Sequence, residues 1–169
     1  MLRTTEGKDL IEDGAKADHL SESFRSVFTK EKARDYPTDD NDVDTIVETV
    51  QFPEDVVLKD LLRLKESKSP GPDEILAKIL KELASELAKP LSTLFQTSFG
   101  TGCLPADWKS ARITLLYKRG SRVSANNYRP VSLIAICCKI MEKMIKQQLM
   151  HFLEQNHLLS DVQHGFRRG

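Results

Sequence analysis

The chain has 169 residues, of which 40% are hydrophobic and 30% charged, which is ordinary for one globular domain or part of a larger one. It contains no run of about 18 apolar residues, so we expect no membrane span. The N-terminus lacks the apolar core of a secretory signal, so we expect an intracellular protein of the cytoplasm or nucleus. The adjacent Cys137 and Cys138 follow no metal-ligand spacing, which predicts core packing in a reducing compartment.

The formal net charge is zero, but it is unevenly distributed. Residues 1–66 carry a net charge of −7 and residues 67–169 a net charge of +7. Residues 108–169 alone hold 11 lysines and arginines against 3 aspartates and glutamates. Such a density of positive charge suits a polyanion such as nucleic acid, and the alternative is an ordinary solvated surface.

The N-terminal third is acidic. Apolar residues at three- and four-residue steps predict a helix over residues 9–29. The polar, aspartate-rich stretch at residues 31–51 predicts a flexible linker, and it lacks the glycine and terminal glutamate of a calcium loop. We therefore divide the chain into an acidic, partly helical segment at residues 1–52 and a main region at residues 53–169.

The main region begins with helical signals. Pro53 suits the first turn of a helix, and the turn at residues 67–73, with two prolines around a glycine, ends that helix. The apolar spacing of residues 74–99 predicts a second helix, which Pro90 should end or kink. Gly100 and Gly102 are signals for its C-terminal cap.

A short β-hairpin is predicted next. Residues 111–117 and 128–133 have strand character, and residues 118–127 form a polar, basic loop between them. An amphipathic helix over residues 134–155 follows. The predicted fold class is therefore α+β and mostly helical, with one small β-hairpin.

The hairpin carries the candidate site. The basic candidates are Lys118, Arg119 and Arg122 in its loop and Arg129 in its second strand. Arginine suits bidentate contact with phosphate, and lysine supplies a mobile point charge. The alternative is a solvated loop in which Arg129 pairs locally, and the sequence leaves both possibilities open.

Two aromatic residues are further candidates for base contacts. Phe166 lies between Gly165 and Arg167, and aromatics beside arginines stack on bases in single-strand binders, although a position near the chain end also suits an unpacked side chain. Trp108 is better interpreted as a core residue. The four histidines suit no common zinc site, and no glycine loop of the GxxxxGK type occurs.

Three sequence blocks then carry a family resemblance. The first is residues 68–75, which contain Ser-Pro-Gly-Pro-Asp. The second comprises residues 104–109, 117–120 and 127–133, the last of which reads Asn-Tyr-Arg-Pro-Val-Ser-Leu. The third is residues 158–169, with Gly-Phe-Arg near its end. In this order and spacing, the blocks resemble the reverse transcriptases of non-long-terminal-repeat retrotransposons, in particular the jockey-like group.

The resemblance implies an incomplete fingers region and the early palm of a right-hand polymerase. It implies that Lys118 and Arg129 face the triphosphate of the incoming nucleotide. It also implies that Gly165, Phe166 and Arg167 lie near the template or the nucleotide pocket. The implied partners are an RNA template and an RNA–DNA hybrid, with no small molecule beyond nucleotides. Residues 1–50 resemble the segment between an upstream endonuclease and the polymerase.

The sequence also departs from the family. The family's palm holds two magnesium ions with one aspartate after the Gly-Phe-Arg block and with a later aromatic-x-Asp-Asp turn, and neither motif occurs in residues 67–169. We therefore expect no catalytic residue and no metal ligand here, with magnesium as the cofactor of the complete enzyme only. A smaller departure is Glu74, where glycine is common in the family.

These observations favour a truncated product of a mobile-element reading frame. The first hypothesis is a fragment of an RNA-directed DNA polymerase that is inactive by itself, because a polymerase without its metal ligands loses stabilisation of the transition state. The alternatives are a non-catalytic RNA-binding fragment and an inert relic protein.

Overall fold

A computed structural model describes residues 2–4, 6–26 and 49–159. The chain divides into two compact units. The first unit comprises the described part of Met1–Asp40 together with Ile113–Ser132, and the second comprises the described part of Asn41–Arg112 together with Leu133–Gly169. The assignment of residues 1–52 to a separate segment stays a prediction.

The elements follow in chain order. They are β1 (Leu2–Arg3), β2 (Asp9–Leu10), α1 (Asp13–Arg25), α2 (Glu54–Leu62), α3 (Ala77–Glu82), α4 (Ala84–Thr101), β3 (Arg112–Tyr117), β4 (Tyr128–Leu133) and α5 (Ile136–Gln155). Short 3₁₀ turns lie at Ala106–Lys109 and Ala125–Asn127. No helix among the described residues is long and apolar enough to cross a membrane.

The start of the first unit corrects the prediction of one helix over residues 9–29. Leu2–Arg3 instead pairs with Asp9–Leu10 in an antiparallel ribbon, and α1 begins only at Asp13. Gly7 at φ +86° allows the tight return, and the Arg3 Nε to Asp9 Oδ1 ion pair of 2.7 Å spans the two strands. The predicted end of that helix lies outside the described residues.

The predicted hairpin at residues 111–133 is confirmed. β3 and β4 form a two-stranded antiparallel ribbon, and β4 has the predicted bounds. The described residues therefore contain two small hairpins rather than one. The prediction of a mostly helical α+β fold is confirmed.

The second unit contains the main core. α2 begins directly after Pro53, as predicted, with Glu54 and Asp55 in its first turn. It packs against α4, and Phe95 of α4 is completely buried between the rings of Phe52 and Trp108, each 5.8 Å from it. Trp108 is therefore a core residue, as predicted.

Most of the linker predicted at residues 31–51 lies outside the described residues. Its last part is described and corrects the prediction, because Val50 is 4% exposed and belongs to the main core. Gln51 is also tied to α5, since its backbone N–H donates to Gln148 Oε1 at 2.8 Å. Val50 and Gln51 are thus part of the folded second unit, ahead of Pro53.

The prediction of a helix over residues 74–99 that Pro90 ends or kinks is wrong in the position of the break. The helix is interrupted at Leu83, between α3 and α4, whereas Pro90 lies inside a continuous α4. Proline removes one backbone hydrogen bond, but burial of Ala88 and Leu91 on either side of it offsets that loss. Of the two predicted cap glycines, Gly102 ends α4 in the left-handed region at φ +67°, whereas Gly100 lies inside the helix.

The last helix and its cysteines agree with the predictions. α5 begins at Ile136, two residues later than predicted, and ends at Gln155. Cys137 and Cys138 are both buried. Burial raises the pKa of the Cys137 thiol to about 11, so this thiol stays protonated at neutral pH.

The Ser-Pro-Gly-Pro-Asp turn packs closely on the backbone that precedes α5. A Cβ atom on Gly71 would lie 2.4 Å from the Ala135 backbone nitrogen, so only glycine fits there. Shortly after the turn, Glu74 has φ +56°, in the left-handed region. A glycine at this position would adopt that conformation at little cost. The presence of Glu74, where the family commonly has glycine, therefore concerns the backbone conformation of this turn.

Candidate nucleic-acid interface

The loop of the β3–β4 hairpin is closed by backbone hydrogen bonds. The Lys118 N–H donates to the Asn127 carbonyl at 2.8 Å, at the base of the loop. Within the loop, the Ser124 N–H donates to Ser121 at 3.3 Å, and the Asn127 N–H donates to Ser124 at 3.2 Å. The ten-residue connection is therefore built of successive turns rather than open coil.

Three side chains donate hydrogen bonds to the backbone at the tip of this loop. Asn127 Nδ2 donates to the Ser121 carbonyl at 2.8 Å, and the Tyr128 hydroxyl donates to the Arg122 carbonyl at 2.8 Å. The Tyr117 hydroxyl donates to the Gly120 carbonyl. Three consecutive carbonyls are thus fixed by three side-chain donors, which limits the conformations that residues 120–122 can adopt.

Gly120 completes the tight packing of the tip. Its φ is +91°, which L side chains rarely adopt, and a Cβ there would lie 2.9 Å from Asn127 Nδ2. Glycine is therefore required both by the backbone conformation and by the space that Asn127 leaves.

An aromatic pair positions one of the predicted cations. The rings of Tyr117 and Tyr128 contact edge to face, with centroids 5.7 Å apart. The Arg122 guanidinium lies over the Tyr117 ring, with its carbon 5.0 Å from the centroid. Because the ring carries no net charge, this contact leaves the positive charge of Arg122 available to a phosphate.

The predicted basic residues of the hairpin are all accessible. Lys118, Arg119, Arg122 and Arg129 are exposed. Within the part of the chain that the structure describes, none of the four forms an ion pair with an acidic side chain. Among the described residues, Arg129 thus has no local ionic partner, and the four candidate cations present their positive charge to solvent. The individual roles of these residues toward a nucleotide stay predictions.

Not all predicted site residues can be placed. Gly165, Phe166 and Arg167 lie outside the described residues. Tyr117 and Asn127 belong to the sequence blocks named above, but their role in supporting the loop was not predicted, because their side chains donate to backbone carbonyls.

A second group of cations lies in the second unit and was also missed. Burial, together with the positive charges of Lys139 and Lys143, lowers the pKa of Lys68. The Lys143 ammonium pairs with Asp60, whose carboxylate is 7% exposed. Lys68 is about 70 residues away in sequence from the two helical lysines, which hides the group from inspection of the sequence.

The described residues contain no group of three or more histidine, cysteine, aspartate or glutamate side chains placed to hold a metal ion. The exposed lysine and arginine side chains of the hairpin are suited to binding anions.

Comparison with known proteins finds several that are similar to part of the chain, although no family model matches it. Several proteins with significant similarity are RNA-directed DNA polymerases of mobile elements. The chain is 32% identical over 103 residues to the probable RNA-directed DNA polymerase from transposon BS of Drosophila melanogaster. This match covers 60% of the chain and 11% of that protein.

Two further Drosophila melanogaster proteins are similar to the chain over a stretch of comparable length. The RNA-directed DNA polymerase from mobile element jockey is 30% identical over 108 residues, which is 63% of this chain and 12% of that protein. The probable RNA-directed DNA polymerase from transposon X-element is 27% identical over 110 residues, which is 64% of this chain and 12% of that protein. The predicted resemblance to jockey-like reverse transcriptases of non-long-terminal-repeat retrotransposons is confirmed. The matched region spans only about a tenth of these relatives.

Proposed function

We propose that this chain is a fingers fragment, with the early palm, of an RNA-directed DNA polymerase from a mobile element, and that its β3–β4 hairpin binds nucleic-acid phosphates. The names of the similar proteins support the polymerase assignment. The observation that carries the binding proposal is the hairpin itself, on which four exposed cations without ionic partners among the described residues surround a hydrogen-bonded loop.

The loop geometry favours binding because little has to be ordered. A flexible basic loop loses conformational entropy when it contacts phosphate, whereas the backbone around Arg122 is already fixed. The cations also displace condensed counterions from the nucleic acid, which gives affinity that falls with salt. Binding should therefore tolerate any base sequence and depend strongly on ionic strength.

Within a complete enzyme the residues would have separate roles. Lys118 and Arg129 would contact the triphosphate of the incoming nucleotide, and Arg119 and Arg122 would add positive charge for binding the nucleotide or the template. Gly165, Phe166 and Arg167 would lie near the template or the nucleotide pocket. The partners would be an RNA template and an RNA–DNA hybrid inside the cell. The family resemblance supports these roles, and the exposure of the four hairpin cations is compatible with them.

Residues 1–169 alone should not polymerise DNA. Magnesium would stabilise the charge on the transferred phosphate in the complete enzyme, but the aspartate motifs that hold it in the family do not occur in residues 67–169. Primer extension on an RNA template with purified chain should stay at background. Template-dependent synthesis would contradict this expectation.

Salt-titrated RNA binding tests the hairpin proposal. We expect the chain to bind a short single-stranded RNA, and we expect Arg122→Ala/Arg129→Ala to bind about tenfold more weakly at low salt. Because two phosphate contacts are removed, the slope of log K against log salt should become shallower by about 1.4. Fluorescence anisotropy at several salt concentrations measures both quantities.

The control is Lys78→Ala/Lys89→Ala, which removes the same charge from exposed positions on α3 and α4. Its slope should stay close to that of the unmodified chain. Equal slopes for the hairpin variant and the control would remove the support for a hairpin site. Absence of RNA binding by the unmodified chain would favour an inert protein.

A further inference from the structure

The N-terminal residues of the first unit pack against the loop of the β3–β4 hairpin. The Arg3 backbone N–H donates to the Val123 carbonyl at 2.8 Å, directly beside the tip that contains Arg122. This bond joins residues about 120 positions apart in the sequence. It gives the loop a partner outside the hairpin.

A small apolar core reinforces the contact. Leu2, Leu20 and Ala125 are 5%, 4% and 7% exposed, and they form one buried cluster. Leu2 comes from β1, Leu20 from α1 and Ala125 from the turn that ends the loop. Deep burial of three residues from three separate elements requires those elements to stay together.

The same cluster is connected to the residues that shape the tip. Leu10, Phe24, Leu115 and Tyr128 pack around it. Tyr128 also donates its hydroxyl to the Arg122 carbonyl and contacts the Tyr117 ring, over which Arg122 lies. The packing of α1 thus reaches Arg122 through one shared side chain.

We propose that residues 2–25 are a brace that holds the basic hairpin in its binding conformation, and not only a segment that leads into the polymerase. The brace is defined by β1, β2 and α1. Residues 118–127 contribute few buried side chains of their own, so the hairpin depends on Leu2 and Leu20 to cover Ala125. Loss of this cover should release the tip and raise the entropy that nucleic-acid binding has to remove.

Amide hydrogen exchange of the full chain tests the brace without any ligand. Leu20→Asp places a carboxylate in the small core, and we expect exchange of the Ser124 and Asn127 amides to accelerate about tenfold or more. The matched control is Ile11→Asp, since Ile11 follows β2 but its side chain is 78% exposed. The control should keep the exchange rates of the unmodified chain.

Trp108 separates a local effect from general unfolding. It is the single tryptophan, and it packs on Phe95 in the second unit. Its emission should not change in Leu20→Asp if only the brace is released. If its emission does shift, Leu20→Ala decides, since this smaller change should still accelerate loop exchange. Unchanged loop exchange in both variants, or equal acceleration in Ile11→Asp, would overturn the proposal.

A second measurement connects the brace to binding and rests on the proposed function. Leu20→Ala should weaken single-stranded RNA binding about threefold to tenfold, through preorganisation, while leaving the slope of log K against log salt unchanged. A variant that lost phosphate contacts would change that slope. If the unmodified chain bound no RNA, the proposed function would fail, whereas the exchange experiment would still decide the brace.

Discussion

Each of the two units of the molecule is stabilised internally in a different way. In the described part of the chain, the second unit buries a cluster of 16 apolar residues, whereas the first buries a cluster of three. The first unit compensates with hydrogen bonds from Asn127, Tyr128 and Tyr117 to consecutive loop carbonyls. Burial contributes roughly 25 cal/mol per Å² of apolar surface, so the second unit should resist unfolding more strongly. The first unit should instead open locally at a smaller free-energy cost.

This difference suggests that the first unit provides the binding surface and that the second provides most of the stability. The four exposed hairpin cations, which have no ionic partner among the described residues, lie on the unit with the smaller core, where hydrogen bonds define the shape of a loop. The large core of the second unit defines how helices pack. Substitutions in the second unit should therefore change stability most, and substitutions at the hairpin should change binding most.

The largest expected effect follows from Phe95→Ala. This ring is completely buried and contacts Phe52 and Trp108, so its removal should lower the free energy of unfolding by about 3–5 kcal/mol. Phe99→Ala is the matched control, because Phe99 also contacts Phe52 but is 40% exposed. Urea unfolding monitored by circular dichroism measures both. Similar losses for the two variants would contradict the central position of Phe95.

A smaller loss is expected from Gly71→Ala. The added Cβ would lie 2.4 Å from the Ala135 nitrogen, so backbone must move, at a cost of about 1–3 kcal/mol. Gly100→Ala is the control, since its Cβ would meet no atom within 4 Å in α4 and should stabilise the chain by up to about 1 kcal/mol. Thermal melting should therefore shift in opposite directions for the two variants. Equal shifts would refute the close packing of the turn on α5.

The smallest expected effect is that of Glu74→Gly. Release of the left-handed conformation should stabilise the fold by about 1 kcal/mol. Loss of the exposed ion pair between Glu74 and Arg112, at 3.0 Å, should cancel only part of this gain. Arg112→Ala, which breaks the same ion pair, isolates its contribution. A net loss of stability in Glu74→Gly larger than that of Arg112→Ala would show that φ +56° is not strained.

The sequence predicted the elements that have a strong local signal. The strands of the hairpin, the helix after Pro53 and the amphipathic helix ending at Gln155 all have clear periodicity or end signals. The β1–β2 ribbon was missed because two-residue strands have no periodicity, and the interruption at Leu83 was missed because Pro90 gave the stronger local signal.

The candidate site was predictable only in part. Its cations were identified because basic residues cluster within residues 118–129. The features that make them a defined surface, such as the Arg122 contact with Tyr117 and the packing of Leu2 on Ala125, join residues whose relation the sequence does not show. Likewise, Lys68 meets the charges of α5 only in the folded chain.

The central claim is that the hairpin, and not another basic region, contacts nucleic acid. Titration of isotopically labelled chain with a short single-stranded RNA, monitored by amide chemical shifts, tests it most directly. We predict saturable, salt-sensitive shifts centred on residues 118–129. Shifts confined to the neighbourhood of Lys68, Lys139 and Lys143, with the hairpin amides unchanged, would contradict the claim and assign binding to the second unit.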